Sequence, residues 1–370
     1  MPTINDPYAA PAARQPRLKI LTGGKPIASA LSWEITNNNY YQADTFTARF
    51  SLSGDPAFPP AWWSNQKQIL LDMQASLDDG ATWKSFIVGM VDHIECHSDA
   101  GIIEVDGRDM AGLFIDAKTN EAFVNKTSSQ VVQALAARHP GMTADVTPTT
   151  TLVGRYYGAD HERLTFNTFT RTTTEWNLMC SLAQHEGFDI FVTGNTVHFH
   201  PSTPPNSTPW ELVWSGGGWT GAAPWMSGVS LSTERSMTMA KDVVVVVRSW
   251  SSKQGRGFTK YSPAGTALSR LQSDKVQEFA YIMPNLSEAQ AQTAANHLRE
   301  QITQHERLVT IEAAADLTVG PRIMLKLTGT GTSWDQAYYV DYVRRSLSFE
   351  GGFQMTIHAK NHSPQTQVVQ

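Results

Sequence analysis

The sequence predicts a mainly β fold with an α+β insertion: two antiparallel β modules, each a barrel or a sandwich, and, between them, a small inserted α+β module. Period-two alternation of apolar and polar residues dominates the first and last thirds of the 370 residues. The last third also repeats the spacing of the first. Early in the chain come Ile69–Met73, a turn at Asp78-Asp79-Gly80, Phe86–His93, Gly101 and a closing strand through Ile103 and Val105. Late in the chain, Ile323–Leu327, Gly329 and Gly331, Tyr338–Arg345, Gly351-Gly352 and a closing strand through Phe353, Met355 and Ile357 follow the same plan. A chain carrying one β module twice reads as half of a symmetric device, and three such chains would set six similar modules around an axis.

Residues 1–16 are small, polar and proline-punctuated, a flexible arm. The first barrel is expected over 17–117. There Phe46, Ala48, Phe50 and Leu52 point one way and Thr47, Arg49 and Ser51 the other. Turns are set by Gly23-Gly24, Gly54-Asp55-Pro56 and Asp79-Gly80, and Pro56–Trp63 forms a loop. The inserted module is expected over 118–202. A capping box at Thr127–Gln130 starts a helix that Pro140-Gly141 stops after His139. A second box, Thr172–Glu175, opens a helix with Trp176, Met179, Cys180 and Ala183 on one face and Gly187 as its stop. A hairpin across Gly194-Asn195 joins Phe188–Val192 to Val197–His200.

Residues 203–236 are rich in Pro, Gly and Trp and read as a linker or crossover. The second barrel is expected over 237–361. Val243–Val247, apolar on both faces, would be its central strand, and Ser251–Ser262 an exposed hairpin loop. A helix over 286–305, capped by Asn285 or Ser287, carries the stripe Ala291, Ala294, Ala295, Leu298 and Ile302 and hands over to a strand at Leu308–Ala313. Residues 362–370 form a polar tail.

A 41% hydrophobic and 10% aromatic content supplies real cores, and only 17% of residues are charged. A net charge of −5 lacks the basic footprint of a nucleic-acid or anionic-membrane binder. The run Val243–Val247 is far short of the roughly 20 apolar residues that span a bilayer. No secretory signal is visible in Met1–Pro16. Cys96 and Cys180 make neither a disulfide framework nor a zinc cluster. They read as two reduced, buried thiols, which fits synthesis in a reducing cytoplasm.

Chemistry is sparse. His198 and His200 share a strand face, but no third ligand is nominated, so they read as solvent-facing residues of an edge hairpin. His185-Glu186 and His305-Glu306 begin like a metalloprotease motif, yet Asp189 and Val309 stand where the second histidine should be. Asp160-His161-Glu162 are adjacent, and adjacent side chains diverge rather than converge on one substrate atom. Asp106, Arg108 and Asp109 suggest a local ion network at the end of the first barrel. Trp210, Trp214, Trp219 and Trp225 could stack sugars, but serve as well to anchor a loop or contact a neighbouring subunit. Lys253, Arg256 and Lys260 read as a solvated loop. No catalytic, cofactor-binding or metal residue is nominated, and no cofactor is expected.

The segment Val105-Asp106-Gly107-Arg108-Asp109-Met110-Ala111-Gly112-Leu113-Phe114-Ile115-Asp116 resembles the Gly-Arg-Asp…Leu-(Ile/Val)-Asp signature of phage tail hub proteins. Ala294–Gln301 running into Leu308–Ala313, and the inserted module ending Phe199-His200-Pro201, are similar to the same family. The resembled family is the baseplate hub proteins of Mu-like contractile-tailed phages. It is related to the late control protein D group and to the N-terminal part of type VI secretion spike proteins. The resemblance covers about residues 17–360, and the tryptophan-rich stretch 201–228 departs from it.

The resemblance implies a structural, non-enzymatic baseplate component of the virion tail. It implies that both β modules are tube-like antiparallel β-barrels, and that three chains form a homotrimeric ring with pseudo-sixfold symmetry that joins the sixfold tail tube to the threefold spike around a lumen for DNA. The implied partners are further copies of itself, the tail tube or its initiator, the central spike and the baseplate wedge, with DNA only in transit. The competing readings are a tail-associated cell-wall hydrolase and a carbohydrate-binding tail component.

Overall fold

A computed structural model of the chain describes residues 14–121, 123, 125–150, 152–153, 156–158, 161–163, 173–201, 209–215, 225–226, 228, 230–237, 242–251, 256–266, 276–283, 286, 288–303 and 305–361. The first third forms strands β1 (Arg17–Thr22), β2 (Lys25–Pro26), β3 (Ala30–Asn38), β4 (Thr45–Ser51), β5 (Leu70–Ser76), β6 (Lys84–His97) and β7 (Ile102–Asp109), with helix α1 (Pro60–Asn65) before β5. The expected alternation holds on β4, where Phe46, Ala48 and Phe50 are buried. The proline-rich stretch packs through its own aromatics: Trp62 and Trp63 meet edge to face, and Trp63 lies 4.8 Å from Phe50.

Helix α2 (Ala111–Asp116) follows β7 and leads to β8 (Lys118–Thr119), α3 (Ser128–Ala136), β9 (Thr143–Val146), the hairpin β10 (Tyr156–Gly158)–β11 (His161–Arg163), β12 (Thr173–Thr174), α4 (Glu175–Glu186), β13 (Phe188–Thr193) and β14 (Thr196–Pro201). Thr127 and Gln130 form the capping box at the start of α3. Because that box satisfies two otherwise orphan donors, Thr127→Ala is expected to cost about 1 kcal/mol in a denaturant titration. The Thr174 hydroxyl caps α4, and Gly187, at φ 70°, takes the left-handed conformation that ends it. These elements share a core of their own around Phe114, Leu135, Met179, Leu182 and Phe199. The strand β9 joins the β13–β14 hairpin in parallel, which the sequence did not suggest.

The remaining elements are β15 (Trp210–Ser215), β16 (Trp225–Met226), β17 (Ser230–Arg235), β18 (Asp242–Ser251), β19 (Arg256–Ser262), β20 (Val276–Ile282), α5 (Glu288–Thr303), β21 (Arg307–Ala314), β22 (Met324–Thr328), β23 (Ala337–Ser348) and β24 (Gly352–Asn361). Three expectations change here. Arg256–Ser262, expected within an exposed loop, is strand β19, paired with β18. The stretch read as a linker supplies strands: β15 pairs in parallel with β22, and β17 pairs antiparallel with β21. Val243–Val247 is central and buried, but in a separate three-stranded sheet, β19-β18-β20, rather than in the second barrel. Helix α5 covers that sheet through Ala291 and Ala295.

The two barrels expected from the sequence are two parts of one 14-stranded sheet. Strand β3 pairs with β23 from Tyr342↔Asn38 to Ser348↔Ser32, joining the early and late modules edge to edge. They share one core, in which Trp33 packs against Phe353. Among the described residues no strand pair closes either module on itself. The physical reason is at this joint: the edge of β3 is occupied by β23 of the other module rather than by a strand of its own.

Candidate assembly surface

The two β modules follow the same strand path. In the first, β3, β4, β7, β6 and β5 lie side by side; in the second, β17, β21, β24, β23 and β22 do. Each pair of neighbours along both paths is antiparallel. The long strands β6 and β23 carry a β-bulge at the same place, between Val91 and His93 and between Val340 and Tyr342. The next strand is held alike, by Val91 N–H donating to Ile69 O and Val340 N–H to Ile323 O, both at 3.0 Å. The extra residue of each bulge is an aspartate that meets a cation on the following strand. Asp92 takes Arg108 at 2.6 Å, and Asp341 takes Lys360 at 2.8 Å. A bulge re-aims side chains and strengthens local twist. Finding the same bulge, aspartate and cation twice ties the repeated sequence spacing to repeated geometry.

The Gly-Arg-Asp signature has a physical role at each position. A Cβ on Gly107 would lie 2.1 Å from Met90 O and 2.4 Å from the Phe46 ring, so only glycine lets β6, β7 and Phe46 close up. Arg108 makes two bonds to Asp92 and two to Asp116, clasping the bulge to α2. These carboxylates hold the guanidinium above its usual range. Buried Asp109 accepts from Ala111 N–H at 3.0 Å at the start of α2. Burial pushes its carboxyl well up, and the neighbouring Asp44 adds to the effect.

The joint between modules is built around Arg345, which is 1% exposed. It pairs across the sheet with Ile35 and donates to Asn37 Oδ1 at 2.9 Å and to the Val319 carbonyl. Its guanidinium stacks over Phe86 at 4.6 Å. Asn37 in turn donates to Asp44 Oδ2 at 2.8 Å and to Phe86 O at 3.0 Å. Burial pulls Arg345 down to about 10, so it stays charged at neutral pH. Burial raises the Asp44 carboxyl.

On the side away from the shared core the sheet is polar. Glu34 and Arg344 bridge the joint at 2.7 Å, and Arg49 and Glu104 bridge β4 and β7 at 2.7 Å. Thr47 and Asp106 add a hydrogen bond at 2.7 Å, and Glu312 is exposed on β21.

The residues considered for chemistry fall elsewhere. His198 Nδ1 and His200 Nε2 both meet Asp145 Oδ2, at 3.1 and 3.0 Å. Sequence reasoning missed Asp145 because it lies on β9 and reaches the histidines only through the parallel pairing. These three groups could offer a metal ion three ligands. The charge nearby opposes a cation, however. Arg322 stacks on Phe191 at 4.0 Å, Phe191 stacks on His198, and Arg322 contributes to the lowering of His198, which burial leads. The arrangement satisfies itself as a hydrogen-bond network, which holds the Asp145 carboxyl below its usual range.

Glu186 accepts from Ser128 and Glu306 holds Arg235, and among the described residues neither glutamate of the two His-Glu pairs belongs to a group of three metal-ligating side chains. Asp160, Trp219 and Lys253 lie outside the described residues, and so do the helix-capping readings at Thr172, Asn285 and Ser287. Arg256 and Lys260 both bond Glu288 at the start of α5. Trp210, Trp214 and Trp225 sit in β15 and β16 as sheet residues. Cys180 is half-buried, and burial pushes its thiol up to about 12. Cys96, expected to be buried, is exposed, because β6 runs on past the end of β5 and, among the described residues, no strand pairs with that flank.

No protein-family model and no curated protein matches the chain. Solved structures do. A tail protein from Neisseria meningitidis MC58 aligns over 95% of this chain and 98% of its own, with a TM-score of 0.67 and 16% identity. The 43 kDa tail protein of prophage MuSo2 from Shewanella oneidensis aligns over 94% and 99%, with a TM-score of 0.62 and 13% identity. An E. coli component of the type VI secretion system, described as structurally similar to T4 bacteriophage tail proteins gp27 and gp5, aligns over 96% and 79%, with a TM-score of 0.56 and 12% identity. The chain has the fold of these phage and prophage tail proteins, in agreement with the baseplate hub family that its motifs resemble.

Proposed function

We propose that this protein is a structural hub subunit of a phage or phage-derived tail. Three copies form a ring with pseudo-sixfold symmetry between the tail tube and the central spike. The observation that carries this reading is the β3–β23 joint, which sets two modules of one strand path side by side in a single sheet. A sixfold tube docked on a threefold spike needs six similar faces from three chains, and a duplicated module supplies two per chain. The fold neighbours are tail proteins over nearly their whole length, which supports a place in the virion tail and a structural rather than catalytic role.

The polar side of the sheet, with Glu34, Glu104, Asp106 and Glu312 against Arg49 and Arg344, suits the lining of a lumen through which DNA slides without being held. The tube, the spike and the wedge proteins are the partners this position requires. The test is mass in solution. Sedimentation of the purified protein at tens of micromolar is expected to give a species of three 40.8 kDa chains with a six-lobed outline in electron micrographs. A stable monomer overturns the reading.

A further inference from the structure

We propose that Asp145, His198 and His200 form a binding site for a nitrogen-seeking divalent metal ion, Zn2+ first among them, on the outer face of the β13–β14–β9 sheet. The site stands or falls apart from the ring reading. Parallel pairing sets His198 directly beside Asp145, and His200, two residues on, shares its face. His198 Nδ1 and His200 Nε2 lie 3.1 and 3.0 Å from Asp145 Oδ2, and the three ligand atoms are within 4.8 Å of one another. Metal bonds of about 2.0–2.2 Å at tetrahedral angles put neighbouring ligand atoms roughly 3.3–3.5 Å apart, so a small opening of the triangle admits the ion. The side chains of His198, His200 and Asp145 are 23%, 36% and 58% exposed, which leaves the fourth position to water.

The neighbours orient the ligands and select the ion. Phe191, opposite His198 on β13, stacks on its ring at 4.7 Å and holds its plane. Thr147 Oγ1 stands 2.9 Å from His200 Nδ1, where it can accept that ring's N–H and leave the Nε2 lone pair for a metal. Asp189, opposite His200, puts a second carboxylate on the same face. Arg322 opposes a cation from beyond Phe191, with its Nη1 donating to the carbonyls of Asn38 and Asn39 at 3.0 and 2.9 Å. That charge weighs most against ions held by charge alone. Mg2+ and Ca2+ take about six to eight oxygen ligands and find one carboxylate among the three groups. Zn2+, Ni2+ and Cu2+ gain donor bonds from two imidazoles, which through-space repulsion does not remove. Binding exchanges the two hydrogen bonds to Asp145 for three metal bonds, each imidazole carrying its proton on the other nitrogen.

The test is zinc itself. After chelator treatment and gel filtration, equilibrium dialysis of the full chain against micromolar Zn2+ is expected to give one more bound ion per chain in the parent than in the variant carrying both His198→Ala and His200→Ala. Co2+ should give the intense visible bands of four-coordinate cobalt in the parent and not in that variant, and excess Mg2+ or Ca2+ should not bleach them. Thr147→Val, which removes only the hydroxyl behind His200, should weaken binding about tenfold. If circular dichroism shows the double alanine variant unfolded, Asp145→Asn carries the test, since it keeps the size and a hydrogen-bond acceptor but loses the carboxylate. Equal zinc uptake and equal cobalt spectra in the parent and the variants place the ions on other side chains and overturn the site. No uptake by the parent overturns it too.

Discussion

Gly107→Val is expected to yield no soluble folded protein, and Gly107→Ala a protein destabilised at or beyond the upper end of the roughly 1–3 kcal/mol range for overpacked cores. The first methyl-sized atom at this position would stand 2.1 Å from Met90 O, which belongs to the paired strand and cannot swing aside like a side-chain tip. Phe46 blocks the other escape at 2.4 Å, and it is 3% exposed within the shared core. Gly89 faces the same ring, its Cβ position 2.6 Å from both Arg108 O and Phe46, so the pocket cannot expand that way either. Relief would require β6 and β7 to part at the bulge, which also breaks the Asp92–Arg108 clasp. Gly320 is the control. A Cβ there meets nothing within 4 Å, so Gly320→Ala should stay within about 0.5 kcal/mol of the parent in a urea titration. A Gly107→Ala midpoint equal to that of Gly320→Ala would refute the close approach.

Arg345→Ala is expected to cost about 3–5 kcal/mol, the range for removing one member of a buried charged network. The loss has three parts: the volume of a fully buried side chain, the contact over Phe86, and the acceptors Asn37 Oδ1 and Val319 O left without their donor. Arg345→Met restores much of the volume but none of the hydrogen bonds, so it should fall between parent and alanine. The network also predicts non-additivity. Asn37→Ala combined with Arg345→Ala should cost less than the two separately, because each single change already orphans the other side chain. Because β3–β23 is the seam between modules, the alanine variant is also expected to separate the unfolding of the two halves, seen as a second calorimetric transition. A loss under about 1 kcal/mol would mean that the seam is held by the sheet ladder and apolar packing alone.

Much of the architecture was legible in the residues. Alternation located β4, β6 and β23, and the matched turns at Gly80 and Gly329 exposed the duplication before any contact was known. The capping box at Thr127 and the stop at Gly187 marked α3 and α4 because a helix end is a local accounting of donors and acceptors. The misses share a cause. Strand β15 hid in a Pro/Gly/Trp-rich stretch because its partner β22 lies more than a hundred residues downstream. Val243–Val247 announced a buried strand without saying which sheet would bury it. Asp145 acquired its histidines through a parallel pairing that no spacing encodes. Cys96 reads as a buried thiol, yet it is exposed where β6 runs on past β5.

By itself the sequence determined the repeated spacing, the turn positions and the helix ends at Thr127 and Gly187, since these depend on neighbours a few residues away. Only the tertiary structure decided that the two modules fuse into one sheet through β3 and β23. Strand alternation specifies a face to be buried; it is silent about the edge, whose backbone donors and acceptors are alike in every sequence and accept whichever strand the fold brings to them.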